Sequence, residues 1–556
     1  MTNNDIVQKL WNLCDVLRDD GINYSDYVTE LVLLLFIKME FENTEAGLLN
    51  RHKLPEGCRW GDLNAKSGLN LLNDYKRILL TLSTGKDLEG NPVVTDPLIL
   101  AIYNDAQTRL REPRHLEQLI KTLDGIDWFS AQKDGLGDLY EGLLEKNANE
   151  TKSGAGQYFT PRALIDSIVR CIKPQAGETI QDPAAGTAGF LIAADKYIKD
   201  ATDNLFDLTQ KQREFQLNNA FIGVELVPST RRLALMNCLL HGMEGDDEGV
   251  VHLGNALGDV GKSLNKVDVV LANPPFGTAK GGEASITRDD LTYKTSNKQL
   301  AFLQHIYRTL KPGGRAAVVL PDNVLFEAGQ GSDIRRDLMD KCNLHTILRL
   351  PTGIFYAAGV KTNVLFFTKG TAQSPKQEEG CTQNVWVYDL RTNMTNFGKR
   401  TPFGEQHLKP FEACYELLHS VGWAERSDAQ QPDLPATTSP SQCWASQAQH
   451  QPTLCDFAWM ADDIERTPEN SRLRNFTREY IRDTKSDSLD ISWLKDNDSV
   501  DAASLPEPDV LAAEAMSELT EALRELDGLL AALGAGDQAK VQKDLLAEVL
   551  GLGDGV

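Results

Sequence analysis

Between about residues 160 and 370, short apolar runs alternate with stretches whose apolar residues recur at three and four, and nothing else in the chain limits its fold as much. The runs at 179–181, 221–225, 250–253, 267–272, 316–320, 346–350 and 364–367 read as strands, the last of them as the final one. Helical spacing falls between them at 191–198, 231–240, 300–310 and 334–339. Strands separated by helices pair in parallel and bury both faces, so the expected core is an α/β, doubly wound sheet. Ligands of such sheets sit in the crevice beyond the strand carboxyl ends. The loops that follow the strands are therefore the segments to search for chemistry.

The run 267–272 ends in Asn273-Pro274-Pro275-Phe276. The Asn273 amide oxygen and a backbone carbonyl freed by the proline pair give two acceptors aimed at one point, and Phe276 adds a flat apolar face. That set suits a planar amino group. The lone pair of such a nitrogen is delocalised, and it attacks an electrophile only when acceptors hold its hydrogens and favour a tetrahedral nitrogen. An Asn-Pro turn that merely closes a strand uses the same residues. The segments upstream decide between the two.

Gln157-Tyr158-Phe159-Thr160-Pro161-Arg162 precedes a helix with Leu164, Ile165, Ile168, Val169 and Ile172 on one face. Thr160 is expected to cap that helix with Pro161 at its first position, leaving N-terminal amides for a carboxylate. Next, Asp182-Pro183-Ala184-Ala185-Gly186-Thr187-Ala188-Gly189-Phe190 joins a strand to a helix, and Gly186 and Gly189 let backbone approach a ligand closely. The run departs from GxGxxG and argues for a cofactor without pyrophosphate. Glu225 ends the next strand, where a carboxylate can accept both ribose hydroxyls of a nucleoside-containing cofactor; a helix-capping acid before Pro228 is the other reading. Asn255, with Ala256 and Leu257, falls where an adenine ring would be met. After Phe276, residues 277–297 make a long polar loop, and Lys280, Arg288, Lys294 and the adjoining Lys298 favour a substrate-gripping flap.

The first 150 residues read as a helical domain for docking or for covering a cleft. Val7, Leu10, Trp11, Cys14 and Leu17 share a face between Asn3 or Asn4 as cap and Gly21 as stop, with further helices after Ser25 and around 69–82 and 138–145. Residues 147–156 suit a boundary or mobile loop, followed by a catalytic domain over 151–415. Within an extension over 416–505, residues 421–455 are rich in Gln, Ser, Ala and Pro and read as a flexible insert without chemistry. A helical tail over 506–556 carries Met516, Leu519, Leu523, Leu526, Leu530 and Leu533 at heptad spacing, able to pack on its own chain or on a partner's helix. A net charge of -23 argues against an unaided grip on nucleic acid, since phosphate contacts need clustered Lys and Arg. The early apolar run 31–37 is too short to span a bilayer and no charged leader precedes it, which points to the cytoplasm. Nine scattered cysteines, with no CxxC pair and no His cluster at ligand spacing, read as reduced structural thiols and give no metal site.

In this order, residues 156–162, residues 182–190, Glu225 and Asn273 to Phe276 resemble the motifs of amino-group DNA methyltransferases that use S-adenosyl-L-methionine. The helical first 150 residues, the Asp138-Leu139-Tyr140-Glu141 helix, the run Gly359-Val360-Lys361-Thr362-Asn363-Val364 and the leucine-rich tail make the chain similar to the modification subunit of type I restriction-modification systems. The resemblance covers most of the chain apart from about 421–455. It implies a Rossmann-like methyltransferase domain that methylates adenine N6 in double-stranded DNA, within a complex of two modification subunits and one specificity subunit, with a restriction subunit added for cleavage. It also implies cofactor contacts from Gln157, Tyr158, Phe159, Thr160, Pro161, Arg162, Asp182, Gly186, Thr187, Ala188, Gly189, Glu225 and Asn255, and catalysis by Asn273, Pro274, Pro275 and Phe276 without a metal. Asn-Pro-Pro before an aromatic also occurs in methyltransferases of protein glutamine or RNA guanine, and a scaffold that only senses cofactor is a third alternative; the helical arm, the heptads and the intact motif weigh against both.

Overall fold

The computed structural model describes residues 3–22, 26–45, 47, 52–94, 96–126, 128, 136–150, 160–277, 286–355, 360–398, 401–420 and 471–494. One compact unit runs to Leu494, and residues 495–556 form a second. The heptad positions, the 421–455 insert and Cys443 and Cys455 lie outside the described residues.

The N-terminal spacing folds as helices α1 (Asn3–Asp19), α2 (Tyr27–Glu45), α3 (Trp60–Asn64), α4 (Gly68–Thr84), α5 (Pro97–Tyr103), α6 (Pro113–Asp124) and α7 (Leu136–Glu150). Val7, Leu10, Cys14 and Leu17 are buried as their common face requires. Helix α2 is buried without a break from Glu30 to Met39, so it sits at the centre of the helical layer. Glu30 is satisfied there by Thr108 Oγ1 and the Arg109 amide, both at 2.9 Å. Sequence spacing did not anticipate α3, α5 or α6: two are too short to show a period, and α5 and α6 are instead marked by a proline in the first turn. Residues 147–150 continue α7 rather than opening a loop, because the helix runs on past its last apolar turn. Among the described residues no helix is long and apolar enough to cross a membrane.

Beyond α7 the elements alternate: α8 (Arg162–Ile172), β1 (Ile180–Asp182), α9 (Gly189–Ala201), α10 (Gln210–Asn218), β2 (Phe221–Glu225), α11 (Pro228–Leu240), β3 (Val251–Leu253), α12 (Asp259–Ser263) and β4 (Val267–Ala272). They continue as α13 (Lys298–Thr309), β5 (Leu310–Pro321), α14 (Asn323–Phe326), α15 (Gln330–Lys341), β6 (Cys342–Arg349) and β7 (Thr362–Lys369). The strands form one mixed sheet in the order β3-β2-β1-β4-β5-β7-β6-β8-β9, where β8 is Asn384–Asp389 and β9 is Leu473–Thr477. The run at 364–367 is thus not the last strand. No helix separates β7 from β8, so the alternation that marks the earlier strands stops, and β8 is recruited by parallel pairing with β6 (Thr346 beside Trp386). Strand β9 pairs antiparallel with β8 and returns from beyond residue 470, while α16 (Lys409–Ser420) packs near α8.

Period-two alternation divides the sheet between two cores. Val270 and Ala272 of β4, with Ala316, Val318 and Leu320 of β5, face α13 and α15. Val269, Leu271, Ala317 and Val319 face α8, α9 and α11, and that core runs without interruption into α2 and α7. The helical region is therefore fused to one face of the sheet; Arg232 of α11 donates to the Ile102 carbonyl of α5 at 2.8 Å across the join. Seven cysteines are described, all of them buried, and burial pushes their thiols up, Cys14 to about 12.

Candidate active site

Strand β1 pairs in parallel with β2 on one side and β4 on the other, so the connections diverge there and the crevice opens at the ends of these strands. A cavity of about 1170 Å³ lies at that point, bordered by Asp182, Gly186, Thr187, Gly189, Glu225, Asn255, Thr160, Arg162, Asn273 and Pro275.

The wall beside Glu225 is built from the β1–α9 turn. The Ala185 amide donates to the Val224 carbonyl at 2.9 Å and the Ala188 amide to Ala185 at 2.7 Å, locking the turn onto β2. Gly186 has φ +55, the left-handed region, and open space where a Cβ would stand. Gly189 serves packing instead: a Cβ there would lie 3.1 Å from Ile165 Cδ1 of α8. Ala188, fully buried with φ +68, is the residue before α9, which begins at Gly189. The Thr187 carbonyl accepts from Asn237 Nδ2 at 3.0 Å. The Glu225 oxygens accept the Gly186 amide at 3.0 Å and the Val227 amide at 2.8 Å, at the start of α11, and the residue borders the cavity. Burial raises its carboxyl. Burial also pushes Asp182 up to about 7, with the Glu225 charge adding to it. Asn255 Oδ1 accepts the Leu257 amide at 2.9 Å.

The opposite wall depends on side chains. Asn273 follows β4 directly, and its Nδ2 donates to Thr160 Oγ1 at 2.9 Å. Thr160 does not cap α8: Pro161 is the N-cap, its carbonyl accepting from Leu164 and Ile165, and the threonine hydroxyl is turned to Asn273. Gln299 Nε2 donates to the Pro275 carbonyl at 3.1 Å, and the Phe276 ring meets Phe355 edge-on with centroids 6.2 Å apart. Gln157, Tyr158 and Phe159 lie outside the described residues.

Arg162 reaches Glu141 of α7 at 2.5 Å and Asp166 at 3.0 Å, so the helical layer supplies part of the cavity wall. Asp138, Glu141 and His241 bring ligand atoms within 4.8 Å of one another, but Arg162 and Lys196 already face the two carboxylates. Arg288 is not a substrate-gripping cation: it is buried, held by Asp290 at 2.5 and 2.7 Å, and donates to the Ala256 carbonyl at 3.0 Å. Its Nη1 also lies 2.9 Å from Nδ1 of His305, which burial and the guanidinium push down to about 3. Sequence spacing gave no sign of Gln299, nor of the carbonyl that Arg288 holds, because each side chain acts on a backbone carbonyl distant in sequence.

A mixed sheet, parallel from β3 to β5 with β7 antiparallel beside β5, and a switch-point cavity joining an acid on β2 to the Asn-Pro-Pro-Phe segment after β4, define a Rossmann-like methyltransferase. Three family models match: N-6 DNA Methylase over residues 131–431, HsdM N-terminal domain over 6–123, and Type I restriction enzyme methylase subunit, C-terminal domain, over 505–548. The chain is 54% identical to the StySJI methylase subunit of Salmonella typhimurium over 558 residues and to the EcoKI methylase subunit of Escherichia coli K12 over 561, covering 99% of each chain in both cases. Its fold matches the crystal structure of the EcoKI M protein at 49% identity and TM-score 0.53, over 98% of this chain and 99% of that one. The chain belongs to the N-6 DNA methylase family, as a methylase subunit of type I restriction enzymes.

Proposed function

We propose that this chain methylates adenine N6 in double-stranded DNA with S-adenosyl-L-methionine as donor, in a cytoplasmic complex with a specificity subunit, a second modification subunit and, for cleavage, a restriction subunit. The observation that carries the reading is that Glu225, Gly189 and Asn273 border one continuous cavity. The donor set fits the cofactor: the open space beside Gly186 offers close backbone approach, and Glu225 offers acceptors for ribose hydroxyls. Bound there, the cofactor supplies an electrophilic methyl group. The target adenine must leave the duplex stack, since its N6 is out of reach inside it. Phe276 then stacks on the ring, while Asn273 Oδ1 and the Pro274 carbonyl accept the N6 hydrogens and localise the lone pair. The net charge of -23 fits a subunit that leaves sequence reading to its specificity partner.

The test is to co-purify the chain with its specificity subunit, methylate DNA and digest it to nucleosides. N6-methyladenine is expected; methyl label in protein or RNA and none in DNA would overturn the reading.

A further inference from the structure

We infer that Gln299 is a positioning residue for methyl transfer, which ties the Pro275 carbonyl to α13 and so leaves the Pro274 carbonyl directed toward the acceptor nitrogen. The inference rests on the proposed function. Tandem prolines remove two consecutive main-chain donors, so the segment 273–276 must be anchored through carbonyls and side chains. Thr160 holds Asn273, Phe355 flanks Phe276, and the carbonyl of Pro275 is taken by Gln299 Nε2 at 3.1 Å. Pro274 precedes a proline and is confined to extended backbone, so successive carbonyls point in different directions. Among the described residues nothing donates to the Pro274 carbonyl.

Gln299 is itself firmly placed. It is 1% exposed, and its amide nitrogen donates to Asn297 Oδ1 at 3.0 Å, where Asn297 caps α13. Asn297 Nδ2 is in turn held by Glu327 at 2.6 Å. A buried side-chain donor requires a partner, and here that partner is the proline carbonyl.

The test compares wild type, Gln299→Leu and Gln299→Glu as full chains with the specificity subunit. It reads kcat and KM for methyl transfer, S-adenosyl-L-methionine Kd by calorimetry, and the thermal midpoint. Loss of the anchor is expected to lower kcat roughly 10²-fold, as small misplacements of reacting groups do, with Kd and midpoint near wild type. The Gln299→Glu variant should regain kcat as pH falls, because a protonated carboxyl can donate to Pro275. Unchanged kcat in Gln299→Leu overturns the inference, as does a parallel loss of Kd and midpoint, which would mark a purely structural role. If the wild type labels protein or RNA, the adenine reading falls, but the same series read on that acceptor still decides the role of Gln299.

Discussion

The two walls of the cavity are made differently. Beside Glu225, the turn's own amides tie it to β2, Ala185 to the Val224 carbonyl and Gly186 to the Glu225 carboxylate. Beside Asn273, side-chain contacts from Thr160, Gln299 and Phe355 help hold a segment that has lost two backbone donors. A turn tied through its own amides depends less on any one distant side chain than a segment held through side chains does. The first wall should therefore govern affinity and the second rate.

The largest effect that could break this contrast is in Asn273→Ala. Removing one acceptor aimed at the reacting group should lower kcat by about 10²- to 10³-fold with cofactor Kd unchanged; full activity, or an equal loss of Kd, would erase the distinction. Glu225→Gln should do the reverse, weakening cofactor binding by about 10- to 100-fold through loss of a charged acceptor. Because burial raises the Glu225 carboxyl, the wild-type affinity should decline on acidification while the pH is still above the usual carboxylate range of about 4.3, and calorimetry should find that decline absent in Glu225→Gln. Arg288→Lys keeps the charge but loses the fork that fixes Ala256, and should weaken cofactor binding about fivefold, roughly 1 kcal/mol, with kcat little changed. The two glycines should separate in stability and not in binding. Gly186→Ala should cost about 1–2 kcal/mol in denaturant unfolding for its left-handed backbone, and Gly189→Ala less, since only the tip of Ile165 must shift.

Much of this was legible in the residues themselves. The strands at 221–225 and 267–272 match β2 and β4, because an apolar run between turn residues has few other ways to bury itself. Thr160 was misread as a cap, since threonine before proline marks a helix start whether or not its hydroxyl turns elsewhere. Arg288 was misread as a free cation, since charge in a loop says nothing of the carboxylate and carbonyl that bury it. Strand β9 was missed because its partner β8 lies more than eighty residues earlier.

The sequence by itself determined the alternating elements and the order of the segments that end on the cavity, because burial of apolar side chains has a local period. Tertiary structure alone decided which carbonyls and amides those segments share, and that the helical layer would close one wall. Such contacts join residues far apart in the chain, and no local period records them.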